Sequence, residues 1–441
     1  MSSANSTQFL LAGVRDLSGK EIDLRISQGV ISEITTTGNL KSIDGSEETT
    51  IDGRGLQLLP GLVDLHTHLR EPGREDAETV RTGSAAAALG GFRAVHAMAN
   101  TDPVADTAGV VEQVVRLGRA AGYCDVFAVG AVTQGLLGRE LAELGAMAHS
   151  MANVRIFSDD GHCVSDSLVM RRALEYVKQF DGVIAQHAQD PRLTENAQMN
   201  EGVISAKLGL AGWPAVAEEA IIARDVLLAE HVGARLHICH VSTAGSVEII
   251  RWAKARGINV TAEVTPHHLL LTDELVESYD PVYKVNPPLR THSDVHALRQ
   301  GLVDGTIDIV ATDHAPHPKE SKECEWSEAA NGMVGLETAL AVVQESLLKT
   351  KLTNWEVIAE RMSFAPARIA RLNEHGKELI VGASANLILV NENVQRKVSE
   401  IKSASKSANN PYRDLTLPGQ VTHTFLRGEL IVNQGELVRP L

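Results

Sequence analysis

Leu58-Leu-Pro-Gly-Leu-Val-Asp-Leu-His-Thr-His-Leu-Arg70 is the stretch on which the reading of this chain turns. An apolar run of strand character, entered through Pro60-Gly61, ends in two histidines two residues apart. Side chains alternate faces along a strand, so His66 and His68 point the same way. Two imidazoles converging from one strand end supply two corners of a metal site, and the apolar run would anchor that site on a rigid element. Taken alone, the pair reads equally well as two satisfied core histidines, and the rest of the chain has to decide.

From Pro60 to about Arg368, apolar strands alternate with amphipathic helices, the pattern of parallel strands joined by helical crossovers. Eight strands are expected: Leu62 to His66, Arg93 to Met98, Asp125 to Val132, Val154 to Ser158, Val183 to His187, Arg235 to His240, Ile258 to Thr265 and Ile307 to Asp313. Leu168 to Phe180 and Pro214 to His231 are two of the helices between them. Eight such units predict an α/β protein built on a (β/α)8 TIM barrel, with its chemistry at the C-terminal strand ends. Before Pro60 the pattern is short alternating strands broken by turns, as in Glu21-Ile-Asp-Leu-Arg-Ile-Ser. The same character returns in Ala385-Asn-Leu-Ile-Leu-Val and in Val421 to Val432. Residues 1–59 and 369–441 are therefore expected to form a small discontinuous β-sandwich domain around the barrel of residues 60–368. Ser399 to Asn410, rich in Ser, Lys, Ala and Asn, reads as a surface connection.

The 441 residues are 44% hydrophobic and carry a formal net charge of −15. That is ample for a substantial core, and it argues against a nucleic-acid or anionic-membrane binder, whose footprint would be a basic face. An anionic substrate must then be held by a few local cations. Four cysteines without a CxxC pairing fit reduced thiols in a cytoplasmic protein. The amino terminus lacks a basic region ahead of its short apolar patch, and no apolar span is long enough to cross a bilayer.

Ligand-type residues stand at the ends of five of the eight expected strands: His66 and His68, Asp160, His187, His240 and Asp313. Four imidazoles and two carboxylates exceed the needs of one tetrahedral zinc, and two zincs sharing a carboxylate fit the count better. Each residue alone has an ordinary alternative, a hydrogen-bonded core histidine for His187 or His240 and a helix cap for Asp313.

These residues sit in segments that come in a telling order: Leu58 to Gly73 around the paired histidines, Met98-Ala-Asn-Thr, Phe157-Ser-Asp-Asp-Gly, Val264-Thr-Pro-His-His, Val285-Asn-Pro-Pro-Leu-Arg and Ala311-Thr-Asp-His-Ala-Pro-His. In that order they resemble the amidohydrolase superfamily, and within it the bacterial type I dihydroorotases, over nearly the whole chain. The resemblance implies two zincs per chain, one held by His66, His68 and Asp313 and the other by His187 and His240, with Asp160 bridging in place of the carboxylated lysine of many relatives. Asp159 is the second candidate for the bridge. By the same resemblance Arg70 and Asn100 hold the substrate carboxylate, Asn286 and His317 contact the substrate, and Asn331-Gly332 meets the pyrimidine ring through its backbone, although Asn331 is atypical there. Arg70 also follows His68 by two residues, on the same face if the strand continues, and its planar guanidinium suits a carboxylate. His267 and His268 end a strand too and are expected to be structural.

The implied reaction is the reversible cyclisation of N-carbamoyl-L-aspartate to dihydroorotate in pyrimidine biosynthesis, with Asp313 carrying the proton. The resemblance is compatible with a homodimer and with association with aspartate transcarbamoylase. Two other readings stay in view. A hydantoinase, dihydropyrimidinase or allantoinase shares the barrel and metals, but the missing lysine and the presence of Arg70 and Asn100 weigh against it. A non-catalytic structural partner of aspartate transcarbamoylase would usually lack ligands, and here all six positions are filled.

Overall fold

The structure, a computed structural model, describes residues 8–42 and 48–441. The chain opens with β1 (Gln8–Arg15), β2 (Glu21–Ser27), β3 (Val30–Thr36), β4 (Glu48–Asp52) and β5 (Gln57–Pro60). A run of strands and helices follows: β6 (Leu62–Thr67), β7 (Phe92–Ala97), β8 (Asp125–Ala128), β9 (Ile156–Phe157), β10 (Val183–Gln186), the short pair β11 (Met199–Asn200) and β12 (Gly212–Trp213), β13 (Arg235–Ile238), β14 (Val260–Val264) and β15 (Ile309–Val310). β16 (Leu387–Lys397), β17 (Thr416–Leu426), β18 (Glu429–Asn433) and β19 (Glu436–Leu437) close it.

The terminal segments meet in one mixed sheet, in the order β19-β18-β17-β16-β5-β1-β2-β3, with β4 alongside β1. The seam between the two ends of the chain is antiparallel, with Leu58 opposite Leu389 and Leu59 opposite Ile388. Alternation in the sequence explains the seam: Leu11, Leu24, Ile26, Leu58, Leu387 and Leu389 are all buried in one cluster. Phe9 and Phe425, from opposite ends of the chain, meet edge to face at 5.1 Å.

In the middle of the chain the pairing is parallel. β6, β7 and β8 form one ladder, and β15, β14, β13, β10 and β9 another. Bridges from Thr67 to His314 and from Gly130 to Phe157 lie between the ladders. All eight expected strands are present among the described residues, but most stop one to four residues short of their expected ends. At two of them the backbone just beyond turns away. His240 and Asp313 take positive φ of 32° and 45°, a left-handed conformation that no strand can carry and that costs energy in a residue with a Cβ. His66 lies inside β6, and the other ligand-type side chains follow the last residue of their strands by one to three positions.

The expected helices are present with small shifts, as Ser167–Val177 running into a 3-10 turn over Lys178–Phe180, and as Val216–Val232. Asp166 caps the first through bonds accepted from the amides of Leu168 and Val169. No described helix is long and apolar enough to cross a membrane. The Ser399 to Asn410 stretch bears out its reading as a surface connection only in part: half of it is exposed, but Ala404, Ser407 and Asn409 are buried. Two of its serines are spent inward. Ser405 bonds to Glu78, and Ser407 Oγ donates to the Ala77 carbonyl at 2.8 Å.

Candidate active site

The six residues singled out at the strand ends converge. Asp160 stands at the centre: one carboxylate oxygen lies 3.3 Å from Nε2 of both His66 and His68, the other 3.2 Å from His187 Nδ1 and 3.2 Å from His240 Nε2. Asp313 lies 3.0 Å from His68 Nε2 and 3.5 Å from His66 Nε2. All six are buried. Asp159 is turned away. It accepts from the amides of Val132 and Thr133 at 2.8 and 2.9 Å and from the Thr133 hydroxyl, so it ties down the loop after β8.

The hydrogen bonds on the far side of each ring fix which nitrogen carries the proton. His66 presents Nδ1 to Glu263 at 2.6 Å, His68 presents Nδ1 to the Asn100 side-chain oxygen at 2.9 Å, and His187 presents Nε2 to Gln189 Oε1 at 2.7 Å. Each of these acceptors takes the ring's N–H. The other nitrogen, in all three cases the one facing Asp160, is then a bare lone pair in the neutral imidazole. Among the described residues His66 Nε2 is buried without a hydrogen-bond partner, and His187 Nδ1 lies 2.9 Å from His240 Nε2. Lone pairs gathered around two carboxylates repel unless a cation sits among them. His66, His68, Asp160 and then Asp160, His187, His240 form two clusters whose ligand atoms lie within 4.8 Å of one another. This donor set fits metal ions.

Proton affinities report the same negative field, which protons on the imidazoles neutralise where no metal ion does. Burial alone would lower the imidazoles and raise the carboxyls. The charge of Asp160 and Glu263 nevertheless holds His66 well above the usual imidazole range, while His66, His187 and His240 hold Asp160 well below that of a carboxylate. Asp313, also pushed up by burial, is brought down to about 2 by the hydrogen bond from His68 and by the charges of His66 and His68.

The predicted substrate residues form the rim. Arg70 is buried although β6 has ended, and its own φ of 62° shows that the strand geometry does not persist. Its Nε donates to the Pro316 carbonyl at 3.1 Å, and it makes no ion pair among the described residues. His317 Nε2 donates to the Asn331 carbonyl at 2.7 Å, which leaves the Arg70 guanidinium beside that ring nitrogen at 3.4 Å as a neighbour only. Burial and the Arg70 charge push His317 down to about 3, so it is neutral. Asn100 spends its oxygen on His68 and keeps its amide nitrogen for other work. Asn286 donates to Gln189 Oε1 at 3.1 Å, while its own Oδ1 is buried and has no hydrogen-bond partner among the described residues. His268 is bound to Thr265 and to the carbonyls of Pro287 and Pro288, in keeping with a structural part.

Glu263 is the group the sequence reading missed. It accepts from His66, from His237 Nε2 at 3.0 Å and from the His240 amide at 3.2 Å. A lone acid in the apolar run Val260-Thr-Ala-Glu-Val264 was the available signal, because a fully buried carboxylate needs partners.

Residues 55–246 match the family model described as dihydro-orotase-like. The chain is 65% identical over 431 residues to a dihydroorotase of Streptomyces coelicolor, covering 98% of this chain and 100% of that one. It is 53% identical over 429 residues to a dihydroorotase of Mycobacterium tuberculosis, covering 97% and 99%. Among solved structures, an L-hydantoinase (dihydropyrimidinase) from Arthrobacter aurescens superposes with a TM-score of 0.86 at 24% identity, covering 98% of this chain and 97% of that one. A dihydropyrimidinase from Brevibacillus agri superposes with a TM-score of 0.82 at 21% identity, over 98% and 96%. These two likenesses concern the fold.

Proposed function

The chain belongs to the dihydroorotase family, and we propose on that premise that it interconverts N-carbamoyl-L-aspartate and dihydroorotate. The observation that carries the reading is the pairing of a cation-demanding cluster around Asp160 with a buried, unpaired Arg70 at its rim. Supporting it against a hydantoinase-like activity is the ring carboxylate of dihydroorotate, which dihydrouracil lacks and which a desolvated guanidinium suits.

We read the cluster as a two-zinc site, with His66, His68 and Asp313 on one ion, His187 and His240 on the other, and Asp160 between them. Such ions would supply an activated water and polarise the ring carbonyl. Asp313, held in its charged form, takes the proton of the attacking water and delivers it to the leaving ring nitrogen. In the biosynthetic direction it works in reverse. The open dicarboxylate plus one proton gives the singly charged ring acid plus water, so low pH favours cyclisation. Arg70 and the Asn100 amide bind the substrate carboxylate, with Asn286, His317 and the backbone at Asn331-Gly332 around the ring.

The bridges at Thr67 and Gly130 support closure of the eight parallel strands into a (β/α)8 barrel over residues 60–368, with 1–59 and 369–441 as its discontinuous β companion. Four unpaired cysteines suit the reducing cytoplasm. A homodimer and a complex with aspartate transcarbamoylase remain part of the proposal.

The test is turnover of dihydroorotate and dihydrouracil by metal-analysed protein. Wild type should prefer dihydroorotate strongly, and Asp313→Asn that keeps its metal should be slower by about 10²–10⁴-fold, the usual range for general acid–base work. Preference for dihydrouracil would move the assignment to the hydantoinases. Near-normal turnover by a metal-replete Asp313→Asn would remove Asp313 as proton carrier.

A further inference from the structure

Gly332 is held from both sides. Its amide donates to the Lys284 carbonyl at 3.0 Å, and its own carbonyl accepts from Lys322 Nζ and from Asn409 Nδ2, each at 3.1 Å. At φ 142° it has a backbone that side chains rarely adopt, and a Cβ there would lie 2.8 Å from His317 Nε2 and 3.0 Å from the Ala315 carbonyl. The glycine thus lets the turn press against the His317 ring.

Lys322 is buried and makes no ion pair among the described residues; burial and the charge of Lys284 push its amine down to about 7, against the pull of Asp280. Its three N–H bonds go to three backbone carbonyls: Ala330 at 2.8 Å, Lys284 at 3.1 Å and Gly332. Burying a cation is costly unless its donors are satisfied, and this one satisfies them on two loops at once. One loop ends at Asn286 and the other carries Asn331-Gly332. Asn409 arrives from the far end of the sequence and is equally committed. It donates to the Ala315 carbonyl at 2.9 Å as well as to Gly332, and its Oδ1 accepts from the His317 amide at 3.3 Å.

We propose that Lys322 and Asn409 are positioning residues for the substrate rim, a two-point brace that fixes the Asn331-Gly332 backbone and His317 relative to Asn286. The inference rests on the reading of that rim as the substrate site. Neither residue touches the Asp160 cluster. Loss of the brace should therefore weaken capture of the substrate and spare the chemistry.

Lys322→Met and Asn409→Ala, assayed as metal-analysed full-length protein, should each raise KM for dihydroorotate by about tenfold, with kcat within about threefold and metal content unchanged. The double variant should be less than additive, because both side chains hold one carbonyl. Amide hydrogen exchange at His317 and Gly332 should quicken by about tenfold or more in either variant, while exchange around His66 stays as it was. Unchanged exchange at those amides overturns the brace. So does an unchanged KM, or a fall in kcat alone. Should one variant fail to fold, the other carries the test. A wild type that does not process dihydroorotate counts against the proposed function, and the exchange measurement then decides the brace by itself.

Discussion

The centre of the site and its rim are built by different means. At the centre, each ligand-type side chain stands within three residues of the end of a parallel strand, and the sheet itself aims the six groups at one point. At the rim, the groups sit on turns whose positions depend on hydrogen bonds from remote segments, such as Asn409 onto the loop after β15. A sheet delivers precision without outside help. Loops need braces. The centre should therefore fail by losing metal, and the rim by losing selectivity and affinity.

The sharpest test of that contrast lies in two adjacent carboxylates. Asp160→Ala removes the group to which all four imidazoles point and should abolish both metal binding and activity. Asp159→Ala instead frees two amides and a hydroxyl at Val132 and Thr133, and should cost stability of about 1–3 kcal/mol while leaving the metal in place. Metal analysis and thermal unfolding of both proteins decide it. If Asp159→Ala empties the site and Asp160→Ala keeps its metal, the bridge has been assigned to the wrong residue.

Arg70→Met probes the rim side of the contrast. It should leave the metal content alone and reduce kcat/KM for dihydroorotate by about thirtyfold to several thousandfold, corresponding to roughly 2–5 kcal/mol for a desolvated charge pair. Slow hydrolysis of dihydrouracil should barely change. Equal losses on the two substrates would mean that Arg70 supports the centre, and the division drawn here would dissolve at that residue.

How far the sequence could be read follows the same division. Alternation along a strand put His66 and His68 on one face, and the endings of successive apolar runs pointed to Asp160, His187, His240 and Asp313, because period and strand end are local properties. The choice between Asp159 and Asp160 was not local. It depends on the Thr133 hydroxyl and two amides that fold brings to Asp159. The same holds for Arg70, which was expected on the face of His68 from a continuing strand but reaches the rim through a left-handed turn. The inward duty of Ser405, Ser407 and Asn409 had no local signature either, since a run of small polar residues looks alike on a surface and over a buried loop.

Glu263 tests whether the centre is as self-sufficient as the strands make it look. Three donors converge on its two oxygens: His66 Nδ1, His237 Nε2 and the His240 amide. In Glu263→Gln only one oxygen remains to accept, and the new amide nitrogen is itself a donor facing donors. Relief is available if His66 moves its proton to Nε2. That proton would then occupy the lone pair that the cluster around Asp160 needs for metal. Outer partners of this kind typically alter metal affinity by about 10–100-fold, so Glu263→Gln should release metal to a competing chelator at concentrations lower by about that factor. The metal-free variant should keep its fold, because Gln is nearly the same size and β14 is paired on both sides. Unchanged chelator competition with a lowered unfolding temperature would make Glu263 a packing residue and leave the metal centre dependent on its strands alone.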